Sequence, residues 1–291
     1  NIQNKGWEFN IDIAAVKTKD WSFNFGFNIS QNKNEILELP ENKNDELYTF
    51  GNKNYAYSVM MGDPLGSFYG YRYKGVYQNV EETYAVNTSG QRILDIDGNP
   101  VVMKNGDQKV YPGDARYEDV NGDGVIDEND IVYLGNSNPT LTGGLNFTLR
   151  YKKVSLVAAF HGRAGQKVIN QARMDMENMR GKNNQSVAVL RRWRSEGDDT
   201  DIPRALYDKG YNYLGSDRFV EDASFLRLKT VTLKYQMPAK WMKAIGVNKL
   251  ELYATGYDMF VWTKYKGQDP EVNLKAANDS IWEVEFARDG T

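Results

Sequence analysis

The chain has no cysteine and a single histidine, His161. The first absence removes disulfides, thiol nucleophiles and thiolate metal centres. The second removes most zinc sites and serine triads, which depend on imidazole. His161 closes an apolar run and reads as a strand or rim residue rather than a catalyst. An excess of one charge is also missing: 36 Lys and Arg stand against 39 Asp and Glu, a formal net charge of −3. With no polybasic arm, nucleic acid is not expected as a partner. No stretch approaches the ~20 apolar residues of a membrane helix, the densest being Val154 to Phe160. A starting methionine and the apolar core of a signal peptide are lacking too, so the sequence reads as a piece of a longer or processed chain.

What is present is alternation. Trp7, Phe9, Ile11, Ile13 and Ala15 share one parity against Glu8, Asn10 and Asp12. After the polar turn "KTKD", Trp21, Phe23, Phe25, Phe27 and Ile29 alternate with Ser22, Asn24, Gly26, Asn28 and Ser30. The pattern returns in Leu141 to Tyr151 and, after "KK", in Val154 to Phe160, then in Phe225 to Tyr235 and Lys249 to Trp262. A period of two is the signature of strands with one apolar face.

A soluble sandwich alternates as well. Two features favour a membrane barrel instead. Aromatics stand near the strand ends, at Trp7, Trp21, Tyr151, Tyr235, Tyr253 and Trp262, as in interfacial girdles. Connection lengths also alternate: "KTKD", "KK" and the Pro238 link are short, whereas Gln31 to Thr140 and Arg163 to Asp217 are long. Short turns on one side and long loops on the other are the asymmetry of outer-membrane barrels. If the short turns face the periplasm, the segment before Leu141 crosses an even number of times, most simply none. "GSFYGYRYKGVYQ" is then expected as an extended hairpin outside the membrane. The expected class is all-β, a transmembrane antiparallel β-barrel seen in part, because closed barrels of this kind begin at about 8 strands.

The acidic run "EDVNGDGVIDENDIVYLG" follows the oxygen spacing of a calcium loop. Asp119, Asn121 and Asp123 occupy positions one, three and five, and Gly124 allows the sharp turn. Val125 would offer its carbonyl at seven, Asp127 an oxygen at nine, and Asp130 the closing carboxylate at twelve. A hard cation would relieve repulsion among the carboxylates, so a structural Ca2+ is the expected cofactor. The flanks do not read as helices, so no EF-hand pair is expected. The alternative reading is an acidic solvated turn that shares the spacing.

Five stretches, "GDPLGSFYGYRYKGVYQNVEE", "GDARYEDVNGDGVIDENDIVYLGNSNPTLTGGLNFTLRYKKVSLVAAFHG", "RRWRSEGDDTDIPRA", "SFLRLKTVTLKYQMP" and "KLELYATGYDMFVWTKYKGQDPEV", follow in that order from about Gly62 to Val272. Together they resemble the C-terminal third of SusC/RagA-type TonB-dependent outer-membrane transporters. The resemblance implies a barrel of about 22 strands importing oligosaccharides or peptides across the bacterial outer membrane. It also implies a SusD-like surface lipoprotein as lid, TonB as energy source, the lipid bilayer as surroundings, and no enzymatic activity. The plug, the TonB box and the closing strand have no counterpart in these residues.

The expected layout is a barrel hairpin over 1–30 and an extracellular region over 31–140. Barrel strands follow over 141–262, interrupted by a loop over 163–217, and an extracellular loop fills 263–291. Tyr207, Tyr211 and Tyr213 are candidates for stacking on a sugar or meeting a lid, with loop packing as the plainer alternative. Arg191, Arg192 and Arg194 around Trp193 read as a short helix capped at Ser186 and stopped near Gly197, its charged face solvated. A second function class stays open: a secreted, calcium-stabilised β-sandwich that binds glycans. A calcium-stabilised glycan-active enzyme is a third, although no carboxylate pair singles itself out.

Overall fold

A computed structural model gives the fold and describes residues 1–39, 48–49, 55–57, 60–244 and 246–271. Two compact units emerge. The first combines Asn1–Leu37, Ser137–Lys167 and Asp222–Thr291; the second combines Glu38–Asn136 and Val168–Glu221. The expected terminal loop over 263–291 lies outside the described residues from 272 onward.

The first unit is a six-stranded sheet, every neighbouring pair antiparallel. Its strands are β1 (Ile2–Lys17), β2 (Trp21–Ile36), β3 (Leu141–Tyr151), β4 (Val154–Ala164), β5 (Phe225–Gln236) and β6 (Glu251–Thr263), in that spatial order. Register turns the alternation of each strand into a common surface. Ile11 lies opposite Phe27, Phe27 opposite Leu145, Leu145 opposite Phe160, Phe160 opposite Leu228 and Leu228 opposite Phe260. The next row belongs to the other face and runs Asp12, Gly26, Asn146, Ala159, Thr230, Tyr257. One face is therefore apolar across all six strands and the other is polar.

Bulges adjust this pattern. Between Ala14 and Val16 an extra residue enters β1, and Val16, not Ala15, stands opposite Phe23. Tyr253 pairs with Lys234 and so falls on the polar face, outside the girdle expected for it. Trp21, Tyr151 and Tyr235 do share the apolar face at the short-turn end, with the Trp21 and Tyr151 rings 4.3 Å apart. β2 also runs past the expected end at Ser30 to Ile36, because its polar tail keeps a full backbone ladder with Ile2–Gly6.

The apolar face remains half-exposed: Phe9 is 50%, Leu233 53% and Phe260 58% accessible. A sheet that lived in water would cover such a surface. The sandwich reading thus loses its second layer. Among the described residues the two α-helices, Gln171–Glu177 and Ala239–Ala244, are far shorter than a membrane span.

Short connections join β1 to β2, β3 to β4 and β5 to β6, while long ones join β2 to β3 and β4 to β5. Lys152, at φ 51°, makes the left-handed corner of the two-residue turn before β4. Adjacent turns are tied together: Lys152 N donates to Asp20 O at 2.7 Å and Gln236 N to Lys153 O at 2.8 Å.

The second unit is built from short strands. Val132–Asn136 and Ala56–Tyr57 flank Ser67–Gly70, whereas Tyr73–Val76 pairs with Ala115–Tyr117. The hairpin expected over "GSFYGYRYKGVYQ" therefore does not form. At the corner between its halves, Tyr71 N donates to Gly215 O at 2.9 Å and Tyr73 N to Asp217 Oδ1 at 2.7 Å. These anchors send the two halves into different sheets. Tyr77, Met103, Tyr117, Ile126 and Leu214 anchor one buried cluster, and Tyr55, Phe68, Leu134 and Phe219 another.

Candidate functional site

The acidic loop closes on its own backbone. Asp119 Oδ1 accepts from Gly122 N at 2.7 Å and its Oδ2 from Gly124 N at 2.8 Å. Asp123 Oδ1 accepts from Val125 N at 2.8 Å, and its Oδ2 from Asn121 Nδ2 at 2.8 Å. Asp127 caps the turn Glu128–Asp130 by accepting from Asn129 N at 2.8 Å. The Asp130 carboxylate, wholly buried, accepts from Val120 N at 2.7 Å and Asp127 N at 2.9 Å, joining the two ends of the loop. Burial pushes its carboxyl above the ordinary range. Gly124, at φ 85°, fulfils the expected tight turn, and a Cβ there would stand 2.9 Å from Ala85 Cβ.

The structure thus brings Asp119, Asn121 and Asp123 into one tight loop, with Val125 leaving it as a strand beside Lys104. Asp130 ties the two ends of that loop together through Val120 N and Asp127 N. Among the described residues no group of three or more acidic or histidine side chains is arranged to hold a metal ion. A carboxylate has about four lone-pair sites, so those occupied by N–H groups do not exhaust the oxygens.

The three tyrosines have different surroundings. Tyr207 is exposed. The Tyr211 hydroxyl donates to Asp107 Oδ1 at 3.2 Å, and its carbonyl accepts from Tyr117. Tyr213 lies under the Arg180 guanidinium at 4.6 Å, and burial raises its hydroxyl pKa. The arginine segment forms a 3-10 turn, Val187–Arg191, capped by Ser186 as expected but ending well before Gly197. There Arg192 and Arg194 donate to the carbonyls of Val189 and Leu190. Trp193 packs on Gly113 and donates to Gln78 Oε1 at 3.2 Å.

Two charged nodes had no local signal in the sequence. In the second unit, Arg204 grips Asp114 through Nε at 2.7 Å and Nη2 at 3.1 Å, with the buried Asn212 amide also donating to Asp114 at 3.3 Å. This node lies along a cleft of about 550 Å³. In the first unit, Arg227 on the polar face meets Asp269 and Glu271 beyond β6. His161 stands opposite Arg227 in β4, edge-on to Phe225 at 5.9 Å, in keeping with a strand residue.

No family model matches the chain. It is 33% identical over 276 residues to TonB-dependent receptor P26 of Formosa agariphila, covering 93% of this chain and 26% of that protein. It is 27% identical to TonB-dependent receptor SusC of Bacteroides thetaiotaomicron, covering 94% of this chain and 24% of that protein. Among solved structures, the RagAB peptide transporter matches with a TM-score of 0.68 and 25% identity, over 93% of this chain and 27% of that one. The chain therefore spans about a quarter of the length of the proteins it matches. These proteins are named as receptors and a transporter, none as an enzyme.

Proposed function

We propose that the chain is a segment of a SusC/RagA-type TonB-dependent receptor and forms part of the wall and outer loops of an importer in the bacterial outer membrane. The observation that carries this reading is the half-exposed apolar face spanning six strands, ended by aromatics where the short turns lie. Lipid is the solvent that such a face fits, and closed strand ladders are a way for backbone to cross it. The polar face then lines the lumen. The long connections, from β2 to β3 and from β4 to β5, then belong to the extracellular part.

The imported nutrient is an oligosaccharide or oligopeptide, drawn in with energy from TonB, and a SusD-like lipoprotein covers the outer mouth. The chain contributes passage and docking, and no bond is made or broken. The test is uptake of labelled oligosaccharides and oligopeptides by cells carrying or lacking the complete protein. Energy-dependent uptake lost with the gene and with TonB supports the reading. Uptake that persists without either overturns it. Affinity purification of the complete protein from outer membranes should recover a surface lipoprotein in stoichiometric amount.

Calcium belongs to the same proposal, as a brace for the outer loop. Asp119, Asn121, Asp123, Asp127 and Asp130 with the Val125 carbonyl would hold it. Support comes from the ligand spacing and from the close approach of Asp119, Asn121 and Asp123 in one turn. A small rearrangement has to gather the remaining oxygens, since the loop as described is closed by N–H groups alone.

A further inference from the structure

The cleft beside the Arg204–Asp114 node holds features that the loop's own packing does not use. Its walls include Lys109, Tyr111, Lys209 and Tyr211, and its inner surface Asn105, Asp114 and Asn212. Asp114 is the only carboxylate among the lining residues, and it is spoken for by Arg204, Asn212 and the Tyr111 N–H. Asp107, nearby in the chain, is engaged by the Tyr211 hydroxyl. Lys109 and Lys209 are both exposed, and neither has an ion-pair partner among the described residues. The lining is thus left with a net positive charge. Asn105 is 4% accessible, and its Oδ1 has no hydrogen-bond partner. A buried amide in that state is short of one bond that a ligand or water supplies.

The frame around this cleft is cross-braced by hydrogen bonds. Arg204 is fixed at its backbone by donating to Gly113 O at 2.8 Å and at its side chain by Asp114, and its guanidinium covers the Tyr111 ring at 5.5 Å. Asn212 accepts from Ala115 N at 2.8 Å while donating to Asp114. Gly210, at φ 75°, turns the chain between Lys209 and Tyr211 and leaves no room for a Cβ beside Leu206. Side chains held by such partners need little ordering when a ligand arrives.

We propose that this cleft binds a carboxylate-bearing sugar unit, a uronate, of an oligosaccharide. The two lysines meet the carboxylate, the tyrosines offer flat faces for the ring, and Asn105 accepts from a hydroxyl. A peptide terminus shares the carboxylate but brings no ring face or row of hydroxyls to the same walls. The inference deepens the import reading and rests on it for the cleft's access to the outside. Binding is measured without transport, so a failure of uptake and a failure of binding are separate results.

The experiment is calorimetric titration of the complete receptor, purified in detergent with its co-purifying chains. The probes are a galacturonate trisaccharide, a neutral galactose trisaccharide and trialanine. The variants are the double substitution Lys109→Gln with Lys209→Gln and, as a control at an exposed lysine outside the cleft, Lys182→Gln. The acidic trisaccharide should bind the unaltered protein more tightly than either other probe. The double variant should bind it more weakly by about tenfold or more, whereas Lys182→Gln should bind it as the parent does. Thermal melts equal to the parent's establish that the variants fold. The proposal is overturned if the double variant binds the acidic sugar as well as the parent, if trialanine binds more tightly, or if no acidic sugar binds at millimolar concentration.

Discussion

Arg227 Nη2 donates to Asp269 Oδ1 at 2.6 Å, tying the chain beyond β6 back to the polar face of the sheet. Glu271 Oε2 stands 2.5 Å from Nε as an ion pair without hydrogen-bond alignment. Gln166 Nε2 adds a longer bond to Pro270 O at 3.4 Å. Arg227→Ala should release this segment at a cost of about 2 to 3 kcal/mol, below the ~3 to 5 of a fully buried pair because Asp269 remains partly wet. Hydrogen exchange at the Glu271 amide, which donates to Asp269 Oδ1 at 2.8 Å, should accelerate while β3 stays protected. Arg227→Lys should restore little, since an ammonium lacks the fork. Unchanged exchange in Arg227→Ala would remove the clamp from the account.

The two faces of β2 should respond oppositely to charge. Phe25 shares the apolar face with Ile13 and Phe147, while Asn24 lies on the polar face beside Ala14 and Thr148. Phe25→Arg should cost roughly 2 to 4 kcal/mol near the bilayer midplane, and Asn24→Arg much less. Reversible unfolding of the complete protein from lipid vesicles measures both. Equal costs would contradict the assignment of faces.

Gly113 should not tolerate a side chain. It sits at φ 86°, and an added Cβ would fall within the Trp193 ring. Gly113→Ala should destabilise the second unit by about 1 to 3 kcal/mol from backbone strain, before the displaced indole is counted. Loss of the Trp193 bond to Gln78 should show as a shift in tryptophan fluorescence, and a parent-like spectrum and melt would count against it.

Asp198 should give the turn after Trp193 a pH dependence. Its Oδ2 accepts from Arg194 N at 2.8 Å and Ser195 N at 3.0 Å, and those N–H groups hold its carboxyl below the usual 3.8. A depressed folded pKa means that the stabilisation is complete above the unfolded value and fades as pH falls through the folded one. Protection factors of the Arg194 and Ser195 amides should therefore drop on acidification below 3.8. Asp198→Asn, which keeps an acceptor but not the charge, should flatten that drop.

Adding calcium to chelator-treated protein should slow exchange at the amides of Gly122, Gly124 and Val125, and Asp119→Ala should abolish the effect. The strand ladders should be indifferent to the ion, because their stability comes from closed pairing and lipid. Exchange insensitive to millimolar calcium would leave the loop as one braced only by its own bonds to Asp119, Asp123, Asp127 and Asp130.

The long strands were legible because a period of two is written locally, in rows such as Trp21, Phe23, Phe25 and Phe27. What lies between them was less so. Ser67–Gly70 finds its partner at Val132–Asn136, and Tyr73–Val76 finds its own at Ala115–Tyr117, separations at which alternation carries no information. The acidic loop's turn was readable from its glycine and carboxylate spacing. The role of Asp130 was not, because its burial depends on what surrounds it. Asp114 and Arg204 illustrate the limit: neither is marked by its neighbours, and only the folded chain makes them a pair.

The bonds from Lys152 to Asp20 and from Gln236 to Lys153 make the three short turns a continuous hoop at one rim of the sheet. A hoop fixes strand spacing without help from the opposite rim. The segments at that far rim can then lengthen, shorten or change composition while the wall keeps its register, since loop closure costs rise only slowly with length. Such a division lets one wall serve many recognition surfaces, with variation confined to the side that meets the outside world.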